Sequence, residues 1–252
     1  MTILEPTYDF RLVALSVVIA IIASYAALDL AGLVNATRNK TRTAWLFGGA
    51  IAMGTGIWAM HYTGMLAYHL DVPIYYHVPT VILSLVAAIG ASFVALFTVS
   101  RKNFNVLHLV FGSLLMGSGI CAMHYTGMAA MRLPAMHQWD GVFVTASVAI
   151  AVVVSAVALI VTFLFREDKP SVTWKIVCAV MMGLAIPAMH YTAMIAVTYM
   201  RTNDAPDLTN AINISALAST AIIIITFVLL VSVVLARRWA MVPARSAAVS
   251  RA

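Results

Sequence analysis

The chain has 252 residues, of which 63% are hydrophobic and 10% charged, with a formal net charge of +6 and a mean hydropathy of +0.97. A soluble domain carries about 25% charged residues, so a water-soluble globular protein is excluded and an integral membrane protein is expected. The positive balance lies in short loops and the carboxyl-terminal tail, where it orients a chain in a bilayer, and forms no patch for nucleic acid.

Residues 1–10 include Glu5 and Asp9 but no basic residue, and no small-residue cleavage site follows. The first apolar run therefore reads as a membrane span and not as a removed signal. Runs long enough to cross about 30 Å of hydrocarbon are predicted at 11–34, 44–68, 78–99, 106–130, 142–165, 174–200 and 211–236. Lipid offers the backbone no hydrogen-bond partner, so these runs are helices. The expected fold class is all-α, one domain forming a seven-transmembrane-helix bundle. Cys121 and Cys178 lie inside apolar runs, at opposite halves of their helices, which argues against a disulfide.

Basic residues set the orientation. Arg38, Lys40, Arg42, Arg101, Lys102, Arg166, Lys169, Lys175, Arg237, Arg238, Arg245 and Arg251 fall on one side, twelve in all, while Arg11, Arg132 and Arg201 fall on the other. This bias puts the amino terminus outside and the carboxyl terminus in the cytoplasm. The second, fourth and sixth helices then all run outward.

Near the outer end of each of those helices the same tetrapeptide recurs: Met60-His61-Tyr62-Thr63, Met123-His124-Tyr125-Thr126 and Met189-His190-Tyr191-Thr192. The histidines are 63 and 66 residues apart, the period of a repeated structural unit. Each copy extends to Met at eight before, one before and four after its histidine, as in Met53, Met60 and Met65 around His61. The third copy carries Ala193 where the first two have Gly64 and Gly127. All three histidines come about 17–19 residues into their spans, roughly 10–15 Å below the outer helix ends. Gly54, Gly56, Gly117, Gly119, Gly183 and Ala185 allow close helix approach. The expected architecture is three two-helix repeats plus one extra N-terminal helix, with the second, fourth and sixth helices central and the third, fifth and seventh outside.

An imidazole in a bilayer needs a partner or a task. Three at one depth, each flanked by methionine, predict a shared metal site of His61, His124 and His190 with Met60, Met123, Met189, Met65, Met128 and Met194. Imidazole and thioether together suit copper, Cu(I) in particular. Zinc normally wants cysteine or carboxylate, and only Cys121 is near. Calcium and magnesium want oxygen ligands that this level lacks. One or two copper ions are therefore expected ahead of zinc or haem. Thr63, Thr126 and Thr192 are expected to bond backbone carbonyls or an imidazole, and an interfacial aromatic belt explains Tyr62, Tyr125 and Tyr191. These residues and Cys121 would support the site from around it. His69, His77 and His137, with Asp71 and Asp140, form a second group in the outer loops. His108 lies at the cytoplasmic end and reads as unrelated.

Three Met-His-Tyr-Thr motifs on alternating helices of a seven-helix chain resemble the MHYT sensor-domain family, over residues 11–236. The resemblance implies a multi-pass protein of the bacterial cytoplasmic (inner) membrane that binds copper near the outer face and senses oxygen, carbon monoxide or nitric oxide. It carries the ligand role to Met60 and His61, Met123 and His124, and Met189 and His190. Many members continue into domains that make or break cyclic di-GMP. This sequence stops at Ala252, so either its output is expected on a separate cytoplasmic partner, reached through helix ends near Arg42, Arg101, Lys169 and Arg237, or the protein has another task.

The chain thus reads as a non-enzymatic membrane sensor, with the lipid bilayer, a diatomic gas and a signalling protein as partners. Copper or proton transport is the first alternative. It is weakened because Ser113, Thr173 and Cys178 are nearly the only polar groups in the inner halves of the central helices, and Asp29 is the one acid within a span. Haem or copper redox chemistry is the second, and three equivalent copies fit it poorly. A retinal protein is excluded, since 211–236 has no lysine for a Schiff base.

Overall fold

Long apolar runs closed by polar caps become helices, and seven of them are long and apolar enough to cross a membrane. A computed structural model describes residues 2–101, 105–164 and 171–249, with side chains described as far as residue 236. Its helices are α1 (Phe10–Ala36), α2 (Asn39–Ala67), α3 (Val78–Val99), α4 (Val106–Ala129), α5 (Gly141–Leu164), α6 (Val172–Ile195) and α7 (Ile214–Val249). Caps sit where the sequence turns polar. Asp9, Asn105 and Ser171 accept the backbone N–H of Arg11, His108 and Trp174, and Asp140 accepts those of Val142 and Phe143. Each side chain satisfies a donor that the first helical turn leaves free.

The first six helices close a ring. Each packs on its neighbours in chain order, and α1 closes the circle by packing on α6. The motif helices α2, α4 and α6 alternate round the ring with α3, α5 and α1. Helix α7 lies outside, mainly against α2. The seven-helix class and its three repeats therefore stand, with a different assignment of the unmatched helix. The expectation made α1 extra and gave α7 to the third repeat, but α1 fills that place. It can do so because α1 and α6 run antiparallel and Gly183 of α6 admits the Ile21 backbone of α1.

Close approach follows a rule. A Cβ added at Gly54 would stand 2.6 Å from the Ile89 Cα, at Gly117 2.9 Å from the Val152 Cα, and at Gly183 2.5 Å from the Ile21 Cα. Each motif helix thus meets the next ring helix through one glycine. A second glycine meets the ring helix before it: Gly56 against Ala23, and Gly119 against Ala91. The end of the ring away from the histidine motifs adds an ion pair between Lys175 of α6 and Asp29 of α1, and Arg42 donates to the Ser100 carbonyl and hydroxyl at 2.9 and 2.8 Å. Arg101 reaches His108 Nε2 at 3.2 Å. Lys102, Arg166, Lys169 and Arg251, and the side chains of Arg237, Arg238 and Arg245, lie outside the described residues.

Among the described residues eight short strands, absent from the sequence reading, cap the helix ends nearest the histidine motifs: β1 (Ile3–Leu4), β2 (Thr7–Tyr8), β3 (Tyr68–His69), β4 (Tyr75–His77), β5 (Met131–Arg132), β6 (Ala135–Trp139), β7 (Val197–Arg201) and β8 (Ala211–Asn213). They form antiparallel sheets of order β1-β7-β6, β2-β3 and β5-β4-β8. The span predicted to reach residue 200 ends at Ile195 for this reason, its last residues pairing in β7. The cap repeats the threefold pattern. The backbone N–H of Asp9, His77 and Asp140, each just before a ring helix, donates to Ala67, Ala130 and Ala196 at the end of a motif helix. Tyr68 of β3, Tyr76 of β4 and Tyr199 of β7 are buried. Burial pushes the Tyr76 and Tyr68 phenols above their usual value.

Candidate metal centre

The three motif helices carry their histidines to the axis of the ring. His61, His124 and His190 stand six, five and five residues before the ends of α2, α4 and α6, about 8–9 Å at 1.5 Å per residue. That is a little shallower than expected, most of all in α6, which stops at Ile195 while residues predicted to continue it pair in β7. All three side chains are buried. Their Nδ1 atoms form a nearly equilateral triangle: His61 to His190 3.1 Å, His124 to His61 3.2 Å, and His190 to His124 3.2 Å. The rings stand at 80–89° to one another.

No set of neutral imidazoles satisfies this triangle through hydrogen bonds. A neutral ring has one N–H donor and one acceptor nitrogen. One Nδ1–H serves two contacts at best and leaves the third pair lone pair to lone pair. A cation on the axis satisfies all three lone pairs at once. An imidazole nitrogen binds zinc, a yardstick for first-row ions, at about 2.0–2.1 Å. Three such bonds at tetrahedral angles put the nitrogens about 3.3 Å apart, close to the observed triangle. The residues fit a metal, and among the described residues this is the one group of three or more His, Cys, Asp or Glu side chains close enough to share an ion.

The tyrosines hold the histidines in place. Tyr62, Tyr125 and Tyr191 pack edge-on against their own histidines at 4.7, 5.0 and 4.8 Å. Their hydroxyls bond Ser84 of α3, Ser147 of α5 and Ser16 of α1 at 3.3, 2.6 and 3.0 Å. Each of these serines also donates to the carbonyl three residues before it, Val81, Val144 or Val13. Tyr62 is buried, while Tyr125 and Tyr191 are half-buried with their hydroxyls turned to these serines. Sequence reasoning missed the serines, yet their signal is present: Ser16, Ala20, Ser24 and Ala27 recur as Ser84, Ala88, Ser92 and Ala95, and as Ser147, Ala151, Ser155 and Ala158. Tyr125→Phe removes one bond without stranding Ser147, so it should cost about 1 kcal/mol, read as a small drop in melting temperature in detergent.

The other expected residues divide. Met60, Met123, Met189, Met65, Met128 and Met194 are all buried on the same three helices. Cys121 is buried but stands outside the histidine cluster. Of the threonines, Thr192 donates to the Ala188 carbonyl at 2.7 Å, as expected, while the buried Thr63 hydroxyl has no hydrogen-bond partner among the described residues. The outer-loop histidines do not converge. His69 faces the Ala67 carbonyl, His77 contacts the Thr80 hydroxyl and His137 packs on Trp139. Asp140 is a helix cap and Asp71 pairs with Arg201.

A ring of membrane helices with a buried trio of converging imidazoles, one from each repeat, defines a class of multi-pass membrane proteins built by internal triplication. The chain belongs to the MHYT family, described as a bacterial signalling protein N-terminal repeat, whose model matches residues 1–48, 54–112 and 117–173. The third tetrapeptide, at 189–192, lies past the last matched residue and joins the set by its geometry. The chain is 44% identical over 194 residues to the bifunctional diguanylate cyclase/cyclic di-GMP phosphodiesterase MucR of Pseudomonas aeruginosa, covering 77% of this chain and 28% of that protein. It is 37% identical over 196 residues to the signaling protein YkoW of Bacillus subtilis, with 77% and 24% covered. It is 36% identical over 192 residues to the cyclic di-GMP phosphodiesterase NbdA of Pseudomonas aeruginosa, with 75% and 24% covered. The chain thus spans about a quarter of the length of these relatives. No solved structure matches it.

Proposed function

We propose that this chain is a non-enzymatic sensing module of the bacterial cytoplasmic membrane that holds copper at His61, His124 and His190 and takes a diatomic gas (oxygen, carbon monoxide or nitric oxide) as its signal. The observation that carries the reading is the triangle of buried Nδ1 atoms 3.1–3.2 Å apart. Imidazole donors amid buried thioethers favour copper over zinc. Copper held there supplies a soft Lewis acid with a position for a small ligand and a one-electron change of charge.

The chain's own residues supply the rest. The histidines tie three helices to one point, so a change at that point bears on α2, α4 and α6 together. The Tyr62–Ser84, Tyr125–Ser147 and Tyr191–Ser16 bonds extend it to α3, α5 and α1. Signalling then needs a ligand that favours one helix arrangement over another. MucR and NbdA are named for cyclic di-GMP enzymes, which makes cyclic di-GMP turnover the proposed output, delivered through the cytoplasmic helix ends.

Metal analysis of the detergent-purified chain tests this. About one copper per chain should disappear when His61, His124 and His190 are all replaced by alanine, with helicity retained. Equal copper in both proteins refutes the site, and zinc in place of copper refutes the ion.

A further inference from the structure

The methionine eight residues before each histidine has no part in the site above. Met53, Met116 and Met182 nevertheless come together, lining one cavity of about 30 Å³ inside the ring. They stand at the same place in three repeats, on three helices pointing the same way. Ala27, Ala95 and Ala158, equivalent positions of α1, α3 and α5, line the same cavity. All six ring helices contribute to its wall, and Leu96 and Val99 of α3 and Leu159 of α5 complete its apolar lining.

Eight residues of helix separate it from that layer, about 12 Å. One turn lies between, and there Ile57, Ile120 and Ile186 are buried, so the two levels cannot share one ion. Only two hydroxyls reach the lining, Ser92 and Thr162, and each already donates within its own helix, to Ala88 and Ala158. The donors left are three thioether sulfurs. Filling a gap among alanines explains one methionine, since the side chain is flexible. It does not explain the same residue in all three copies, where leucine of similar volume would serve. Thioethers are soft, neutral ligands. A hard or divalent ion would keep an uncompensated charge in this apolar chamber, whereas monovalent Cu(I) carries less charge and bonds sulfur well.

We propose that Met53, Met116 and Met182 form a second metal site, an all-thioether Cu(I) site on the ring axis beneath the three-histidine layer. It stands apart from the histidine reading and survives if that reading fails. Leucine is close to methionine in volume, so Met53→Leu, Met116→Leu and Met182→Leu combined should leave the packing nearly intact.

The full-length chain, loaded anaerobically with excess Cu(I) and freed of loose metal, should hold two copper ions. The triple leucine variant should hold one, and X-ray absorption should show that its loss removes a sulfur-only shell. The triple histidine-to-alanine variant should keep the sulfur-coordinated copper, which keeps the test valid should the leucine variant misfold. A leucine variant that binds as much copper as the parent overturns the proposal. So does a chamber that takes up xenon but no Cu(I), which would make it a hydrocarbon-like void.

Discussion

Gly183→Val is expected to destabilise the bundle by about 3 kcal/mol, the upper end of what overpacking costs. A Cβ at this position would lie 2.5 Å from both the Cα and Cγ1 of Ile21 and 2.7 Å from its backbone nitrogen. Two of those atoms are backbone, so no rotamer change relieves the clash and α6 must move away from α1. That contact closes the six-helix ring, and its loss also draws His190 from the axis. Gly54→Val and Gly117→Val should act alike, since their Cβ atoms would meet the Ile89 and Val152 backbones at 2.6 and 2.9 Å. Gly90 is the control, with nothing within 4 Å of its added Cβ. There alanine should be neutral or stabilising by up to about 1 kcal/mol through helix propensity. Thermal unfolding in detergent separates the two classes. A Gly183→Val protein that melts with the parent refutes the ring closure.

The helices and the histidine layer were legible in the sequence for different reasons. Span length is set by bilayer thickness, so each apolar run declared itself. The histidine layer was readable because three copies share local sequence, depth and direction, which forces convergence once their helices surround one axis. The identity of the unmatched helix was not readable. Nothing within α1 or α7 alone says which of them packs on α6, and the Ser16 and Ala20 pattern that marks α1 resembles ordinary small-residue packing until set beside Ser84 and Ser147. The cap was hidden for another reason. Strands such as β1 are two residues long and pair with partners nearly 200 residues away, Ile3 with Met200, so no local period announces them.

Gly127→Val should weaken copper binding at the histidine layer at least about tenfold while shifting the melting temperature far less than Gly183→Val does. A Cβ on Gly127 would stand 2.5 Å from His61 Nε2 and 3.1 Å from its Cδ2. What it meets is therefore the His61 ring and the Tyr62 hydroxyl, at 3.2 Å, and no backbone. That ring has little freedom, packed edge-on between Tyr62 at 4.7 Å and the His124 and His190 rings at 5.0 Å. Pushing it aside opens the Nδ1 triangle while the helices keep their spacing. Gly64 plays the same part for His190, whose Nε2 lies 2.7 Å from the position of an added Cβ. The third copy already carries Ala193, so alanine at either glycine should be milder than valine, and the order glycine, alanine, valine should track falling affinity. Competition with a Cu(I) chelator measures that order, and unchanged affinity across all three would detach the glycine from the site.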